Sequence, residues 1–251
     1  MQPTVWLQRP STRLSGLATA LTVLLIASIP IVALGAVFSF VAASEIAGLA
    51  DRDLSTLRQL NEAERNQGLA FAAVMLFSII AMPIFVLLVV FAAKARRNLE
   101  AWGVTGARQP VGMAVGAWFI PIFWYIGPYW TLSDSYRGAV PGAATNPDWR
   151  SGSRNGPLLG WWMLWSIANI LYWVSLLIVG AVIGSTNDSA LLEVIENTNT
   201  HANAWTVQGI ALVTCIPAAV LGIVGLRRLA KQHDRLTDGG TPTDQHAGPI
   251  S

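Results

Sequence analysis

MAVGAWFIPIFWYIGPYWTL, residues 113–132, is the stretch on which the fold of this chain turns. It is twenty uncharged residues long, and at ~1.5 Å per residue such a helix crosses a ~30 Å hydrocarbon core. Pro121, Gly127 and Pro128 lie near its middle, where they interrupt the helical hydrogen-bond ladder. Whether this segment crosses or turns back decides the number of spans and the side on which every later residue lies.

Four further stretches, 17–42, 68–93, 158–183 and 205–226, contain no Asp, Glu, Lys, Arg or His. Each is over 20 residues, long enough to span, whereas a helix of a soluble protein needs a polar face. Composition agrees: apolar residues make up 53% and charged residues 12% of the chain, against about 25% charged in soluble domains. The net charge of +2 is too small to imply a nucleic-acid partner. Cys215 is the single cysteine, so no disulfide can form within the chain. The first stretch follows Arg9 and Arg13 as a secretory signal would, but its apolar core is about 25 residues, against roughly 7–15 in such signals. It is read as a retained helix.

Basic residues set the orientation. With the N-terminus inside and four crossings, Arg9, Arg13, Lys94, Arg96, Arg97, Arg108, Arg137, Arg150, Arg154, Arg227, Arg228, Lys231 and Arg235 are cytoplasmic. Only Arg52, Arg58 and Arg65 are outside, which accounts for all 16 basic residues. A fifth crossing at 113–132 spoils this, giving 6 inside to 10 outside, or 10 to 6 with the chain reversed. The positive-inside rule favours four spans.

The sequence therefore predicts an all-α integral membrane protein with four transmembrane helices, both termini cytoplasmic, and a re-entrant helical hairpin on the cytoplasmic side. In that hairpin, about 111–137, residues 111–120 dip in, 121–128 turn and 129–137 return. Non-helical backbone at that depth is tolerated only where protein or water covers it, so the hairpin should pack on the helices. The alternative is an ordinary fifth helix. The remaining divisions are a cytoplasmic N-terminus (1–16), a single membrane domain (17–235), a cytoplasmic loop rich in Gly, Pro, Ser and Asn (138–157) and a disordered cytoplasmic tail (236–251). The second span should continue as helix through 94–102, with Gly103 as its cap. The outer segment 44–67 carries Ile46, Leu49, Leu57 and Leu60 at near-helical spacing, which suggests helical extensions beyond the membrane.

No Walker loop, nucleophile elbow, HExxH or Cys/His metal spacing is present. No catalytic residue, metal site or cofactor is expected, and His201, His233 and His246 are too scattered for a ligand cluster. The spans also lack the ionisable groups that proton- and ion-coupled carriers place at membrane depth. Asp134, on the returning limb, is expected to pair with Arg137 one turn away, worth about 0.2–0.5 kcal/mol if exposed. Aromatic residues concentrate in the hairpin (Trp118, Trp124, Trp130) and the third span (Trp161, Trp162, Trp165, Trp173). Trp161, Trp165, Asn169 and Tyr172 or Trp173, at i, i+4, i+8 and i+11 or i+12, share one helix face, which serves either as an aromatic belt and packing surface or as the wall of a lipid-holding cavity. Asn169, near mid-span, is expected to hydrogen-bond across helices or to the backbone at 121–128. Arg96, Arg97, Arg108 and Arg137, with Arg154 as a further member, rim the same region, and such basic clusters bind anionic headgroups at ~1 kcal/mol each.

The runs Arg96-Arg97-Asn98-Leu99-Glu100-Ala101-Trp102, Arg108-Gln109-Pro110 and Met113 to Ile122, then Pro128-Tyr129-Trp130, Leu158 to Trp165 with Asn169, and Arg227-Arg228-Leu229 carry a resemblance. Over roughly residues 68–235 the chain resembles an uncharacterised actinobacterial family of multi-pass membrane proteins, domain of unknown function 4328. The resemblance implies architecture and bacterial origin, with no activity to transfer. The chain departs from that pattern at 122–127, where Phe123-Trp124-Tyr125 replace a more polar turn.

The expected function is non-enzymatic: a scaffold or regulatory module in the plasma membrane that binds anionic lipid or a protein partner at its cytoplasmic face. The candidate residues are Arg96, Arg97, Trp102, Arg108, Trp118, Pro121, Pro128, Tyr129, Asp134, Arg137, Trp161, Trp165 and Asn169. Membrane lipids and a protein partner or second copy are the expected partners. A small oligomeric transporter or channel is the alternative, disfavoured because Thr22, Ser28, Ser78, Asn169, Ser175 and Thr214 form no continuous polar stripe.

Overall fold

The computed structural model describes residues 11–50, 57–185 and 198–239, and every regular element among them is a helix. Four are long: α1 (Ser15–Ala50), α2 (Leu57–Ala101), α5 (Gly156–Ser185) and α6 (Thr198–Asp238). Two further α-helices are short, α3 (Val111–Gly116) and α4 (Gly127–Gly138), and Phe123–Tyr125 and Trp149–Ser151 are single 3-10 turns. The long helices, of 36, 45, 30 and 41 residues, contain the four charge-free stretches and are long and apolar enough to cross a membrane. Apolar side chains remain exposed along them: Ile79 is 69% exposed, Val23 60% and Leu177 71%. Water would penalise such a surface and lipid does not, so the chain is a multi-pass membrane protein.

Pro30, Pro83 and Pro217 lie inside α1, α2 and α6, each removing one backbone donor from the ladder. Five hydroxyls of the spans are satisfied locally. Thr22, Ser28, Ser78, Ser175 and Thr214 each donate a hydroxyl hydrogen bond to a carbonyl three or four residues earlier in the same helix.

The chain forms two compact units, and each long helix contributes to both. One unit contains Leu24–Met82 and Trp161–Val220. Its core is Val32, Ala36, Val74 and Leu212, packed by Phe77 and Tyr172. A second cluster joins Ala42, Ala43, Ile46, Ala70, Ala202 and Trp205. The expected outer extensions form, since α1 runs to Ala50 and α2 begins at Leu57; Asn66 Nδ2 donates to both Glu45 carboxylate oxygens at 2.7 and 2.8 Å. Residues 51–56 lie outside the described residues.

The other unit contains the chain up to Val23, Pro83–Gly160 and the chain from Leu221. Here α2 ends as expected at Gly103. Its φ of +73° suits glycine, and the amides of Gly103 and Val104 donate to the carbonyls of Glu100 and Leu99 at 3.0 and 2.9 Å. This is the Schellman arrangement, and Val104 meets Leu99 in one apolar cluster. Asn155 caps α5, accepting from the Leu158 amide, and its Nδ2 donates to the Gly225 carbonyl of α6 at 2.9 Å. Gly225 is required there, because a Cβ would lie 2.8 Å from the Leu158 nitrogen.

Residues 113–132 form no continuous helix: α3, a turn and α4 replace it. At 12 residues α4 is about 18 Å long and too short to cross. The expected tail is helical at its start, because α6 runs to Asp238, where Arg13 pairs with the Asp238 carboxylate at 2.8 Å. Residues 240–251, with His246, lie outside the described residues, as do residues 1–10.

Candidate functional site

Beyond Gly103 the chain packs back on α2. Leu99, Val104, Ala143 and Trp149 form a small core, and the Trp149 indole donates to the Thr105 carbonyl at 2.9 Å. The loop 138–157 is thereby pinned by a buried tryptophan that its Gly/Pro/Ser composition did not announce.

In the hairpin limb α4, Thr131, Leu132, Ser133, Asp134 and Ser135 are all buried, so this turn is covered on every side. Asp134 is 1% exposed, and its Oδ2 accepts the Arg108 amide at 2.8 Å. The Arg108 Nε lies 3.8 Å from Oδ1, and the guanidinium sits 5.8 Å from the Trp130 ring centre. The expected Asp134–Arg137 pair does not form; Arg137 donates instead to the Arg150 carbonyl at 2.6 Å. The 107–110 turn delivers an amide to the buried carboxylate, and charge-assisted bonds to backbone donors are among the stronger hydrogen bonds.

Next to it in sequence, Gln109 ties three elements. Its carbonyl accepts Arg96 Nε–H at 2.7 Å, and its Oε1 accepts the Thr131 hydroxyl at 2.7 Å. Arg96 is 7% exposed and lies 3.4 Å from Glu100. It is a structural cation, not a rim cation.

A second buried network centres on His233. Asn98 accepts the Thr12 amide at 2.8 Å, donates to the Thr12 carbonyl at 2.8 Å, and faces His233 Nδ1 at 3.2 Å. His233 Nε2 meets the Ser135 carbonyl at 2.9 Å, and Trp102 lies 4.9 Å from its ring. His233 lies beyond the charge-free stretch of α6. Burial pushes its pKa down to about 4, against the opposing influence of the Ser135 carbonyl and the Asp234 charge. Asp234 itself caps the start of α1, accepting the Leu14 and Ser15 amides at 2.7 and 3.2 Å.

The hairpin turn is apolar and exposed: Phe119 65%, Ile120 44% and Ile122 82%. Ile122 has φ +66°, a strained conformation for a β-branched residue. Behind this tip, Trp118 is buried, and Phe85 of α2 packs edge-on to both Trp118 and Phe119 at 5.7 Å.

Of the thirteen residues singled out from the sequence, ten lie in this unit. Arg96, Trp102, Arg108, Asp134 and Arg137 sit in the networks above; Trp118, Pro128 and half-buried Tyr129 belong to the hairpin; Pro121 and Arg97 are exposed. Trp161, Trp165 and Asn169 belong to the other unit, where Trp161 and Trp162 pack at 5.6 Å and Trp162 and Trp165 at 4.9 Å, and Asn169 is half-buried. Sequence reasoning missed Asn98, Gln109, Thr131 and His233. The signal for Asn98 and Gln109 was their place beside Arg97 and Arg108; His233 carried none. No grouping of His, Cys, Asp and Glu suited to a metal occurs among the described residues.

Residues 54–231 match the family described as a domain of unknown function, DUF4328, and the chain belongs to that family. No curated protein and no solved structure matches it.

Proposed function

We propose that this is a non-enzymatic module of the plasma membrane that binds anionic lipid at its cytoplasmic face, with the hairpin re-entering the membrane from that side. The observation that carries the reading is the hairpin itself: an exposed apolar tip on a limb whose Thr131, Ser133, Asp134 and Ser135 are buried in protein. Phe85, which receives Trp118 and Phe119, lies nine residues before Lys94, about 13 Å inside the charge-free stretch. That depth, and the thirteen-to-three distribution of basic residues, supports a cytoplasmic re-entrant hairpin.

The buried Asp134, Arg96 and His233 are held by structural hydrogen bonds and support no nucleophile–base arrangement. The hydroxyls of Thr22, Ser28, Ser78, Ser175 and Thr214 bond to their own helices, which argues against a polar path and hence against the transporter alternative. Binding to a protein partner is the second reading, favoured only by the strained, exposed Ile122 at the tip.

The test is mass spectrometry of the protein released from native nanodiscs, compared with a chain in which residues 113–132 are permuted and with Phe119→Ser/Ile122→Ser. Enrichment of anionic over neutral lipid in the wild type, reduced in both variants, supports the reading. No lipid enrichment together with one stoichiometric protein favours the partner. Neither enrichment removes both and calls for flux assays.

A further inference from the structure

Within the unit that carries the hairpin, the start of α1 and the end of α6 enclose a groove of about 340 Å³. That volume falls within the range of small-ligand clefts, ~300–1,000 Å³. Arg227, Lys231 and Arg235 line it from α6 at i, i+4 and i+8, so three exposed cations share one helix face. Ser15 and Thr19 line it from α1.

Two carboxylates also reach the groove, and both are occupied. Asp234 accepts the Leu14 and Ser15 amides, and Asp238 pairs with Arg13. Arg227 spends only its Nε, on the Thr22 hydroxyl at 3.1 Å. Lys231 and Arg235 have no ion-pair partner among the described residues. Three basic residues thus line the groove against two carboxylates, one of which is paired with Arg13, and the balance is positive.

Its position selects the occupant. Arg227 is the first residue after the charge-free stretch 205–226, and Ser15 and Thr19 flank the start of the charge-free stretch 17–42. Both walls therefore meet the hydrocarbon boundary at the groove, where lipid headgroups lie. We propose that this groove is a binding site for the phosphate-bearing headgroup of an anionic phospholipid, with Arg227, Lys231 and Arg235 as the phosphate ligands and the Ser15 and Thr19 hydroxyls as further donors. The site rests on the lipid-binding reading above and deepens it. It also lies outside the arginine rim of residues 96–137 that the sequence had suggested, since Arg96 and Arg108 are engaged within the protein.

The experiment measures lipid retained by the full chain in nanodiscs of mixed phosphatidylglycerol and phosphatidylcholine. Four proteins are compared: wild type, the groove triple Arg227→Gln/Lys231→Gln/Arg235→Gln, the charge-keeping triple Arg227→Lys/Lys231→Arg/Arg235→Lys, and the rim double Arg97→Ala/Arg137→Ala. At roughly fivefold per basic residue, the groove triple should lose on the order of a hundredfold in phosphatidylglycerol preference. The charge-keeping triple should retain most of it, which separates charge from folding. Loss in the rim double with retention in the groove triple overturns the groove and leaves the lipid-binding reading standing. No phosphatidylglycerol preference in the wild type overturns both. Release of the retained lipid by excess soluble glycerol phosphate would overturn the lipid as occupant in favour of a soluble phosphate ester.

Discussion

The Nδ2 amide of Asn98 lies 3.2 Å from Nδ1 of His233, and this contact sets the protonation state of the ring. The Asn98 amide is oriented by Thr12, whose N–H and carbonyl pair with its Oδ1 and Nδ2. Nδ1 must then accept, so Nε2 carries the proton and donates it to the Ser135 carbonyl. A second ring proton would face a donor inside a buried site.

Stability should therefore depend on pH through this histidine. Folded His233 titrates at about 4, whereas an unfolded histidine titrates near ~6.5. Between these values the unfolded chain binds the extra proton, so stability is full above about pH 7 and falls as pH drops towards about 4. The loss should reach about 3 kcal/mol at most. Thermal unfolding in detergent at about pH 7.5 and about pH 5 checks this, with His233→Gln as the variant in which the dependence shrinks. A wild-type midpoint that does not move would contradict it.

Asp134 should couple to Arg108 and not to Arg137. Asp134→Ala removes the acceptor of the Arg108 amide and should cost roughly 1–3 kcal/mol. In double-mutant cycles read by thermal stability, the pair Asp134→Ala and Arg108→Ala should show coupling through the 3.8 Å Nε–Oδ1 contact, the amide bond being untouched by Arg108→Ala. The pair Asp134→Ala and Arg137→Ala should be additive, within roughly 0.5 kcal/mol.

Trp149→Ala should destabilise by about 3–5 kcal/mol, since it empties a buried site and orphans the Thr105 carbonyl. Limited proteolysis would report it locally, as new cleavage in residues 138–157. Protection equal to wild type would mean that the indole does not pin the loop.

Gly225→Ala should be destabilised by roughly 1–3 kcal/mol, because its Cβ would meet the Leu158 backbone at 2.8–2.9 Å. Gly16→Ala, where a Cβ meets nothing within 4 Å, should be neutral or stabilising. The difference between the two melting midpoints is the readout.

A cysteine placed at exposed Ala144, with Cys215 replaced by Ser, should resist an impermeant maleimide added outside intact cells and react after lysis. Labelling from outside would sink the four-span cytoplasmic orientation and the re-entrant hairpin with it.

The membrane class, the four long helices, the break within residues 113–132 and the stop at Gly103 could all be read from the chain alone. Each depends on a local property: absence of charge over a span length, proline and glycine inside an apolar run, or a glycine at a positive φ. The site was less legible. Asp134 stood out as the one carboxylate on the hairpin, yet its neighbour at i+3 looked the natural partner and was not.

Tertiary structure alone decided the pairings. The Arg108 amide reaches Asp134 across 26 residues, the Trp149 indole reaches Thr105 across 44, Asn98 reaches His233 across 135, and Asp234 caps α1 across 220. A hydrogen bond needs its partners within about 3 Å and aligned, a condition that spacing along the chain can impose inside one helix but not between helices. Once the spans pack, each of these buried groups pairs with the partner the packing supplies, because an unpaired polar group in an apolar interior is costly.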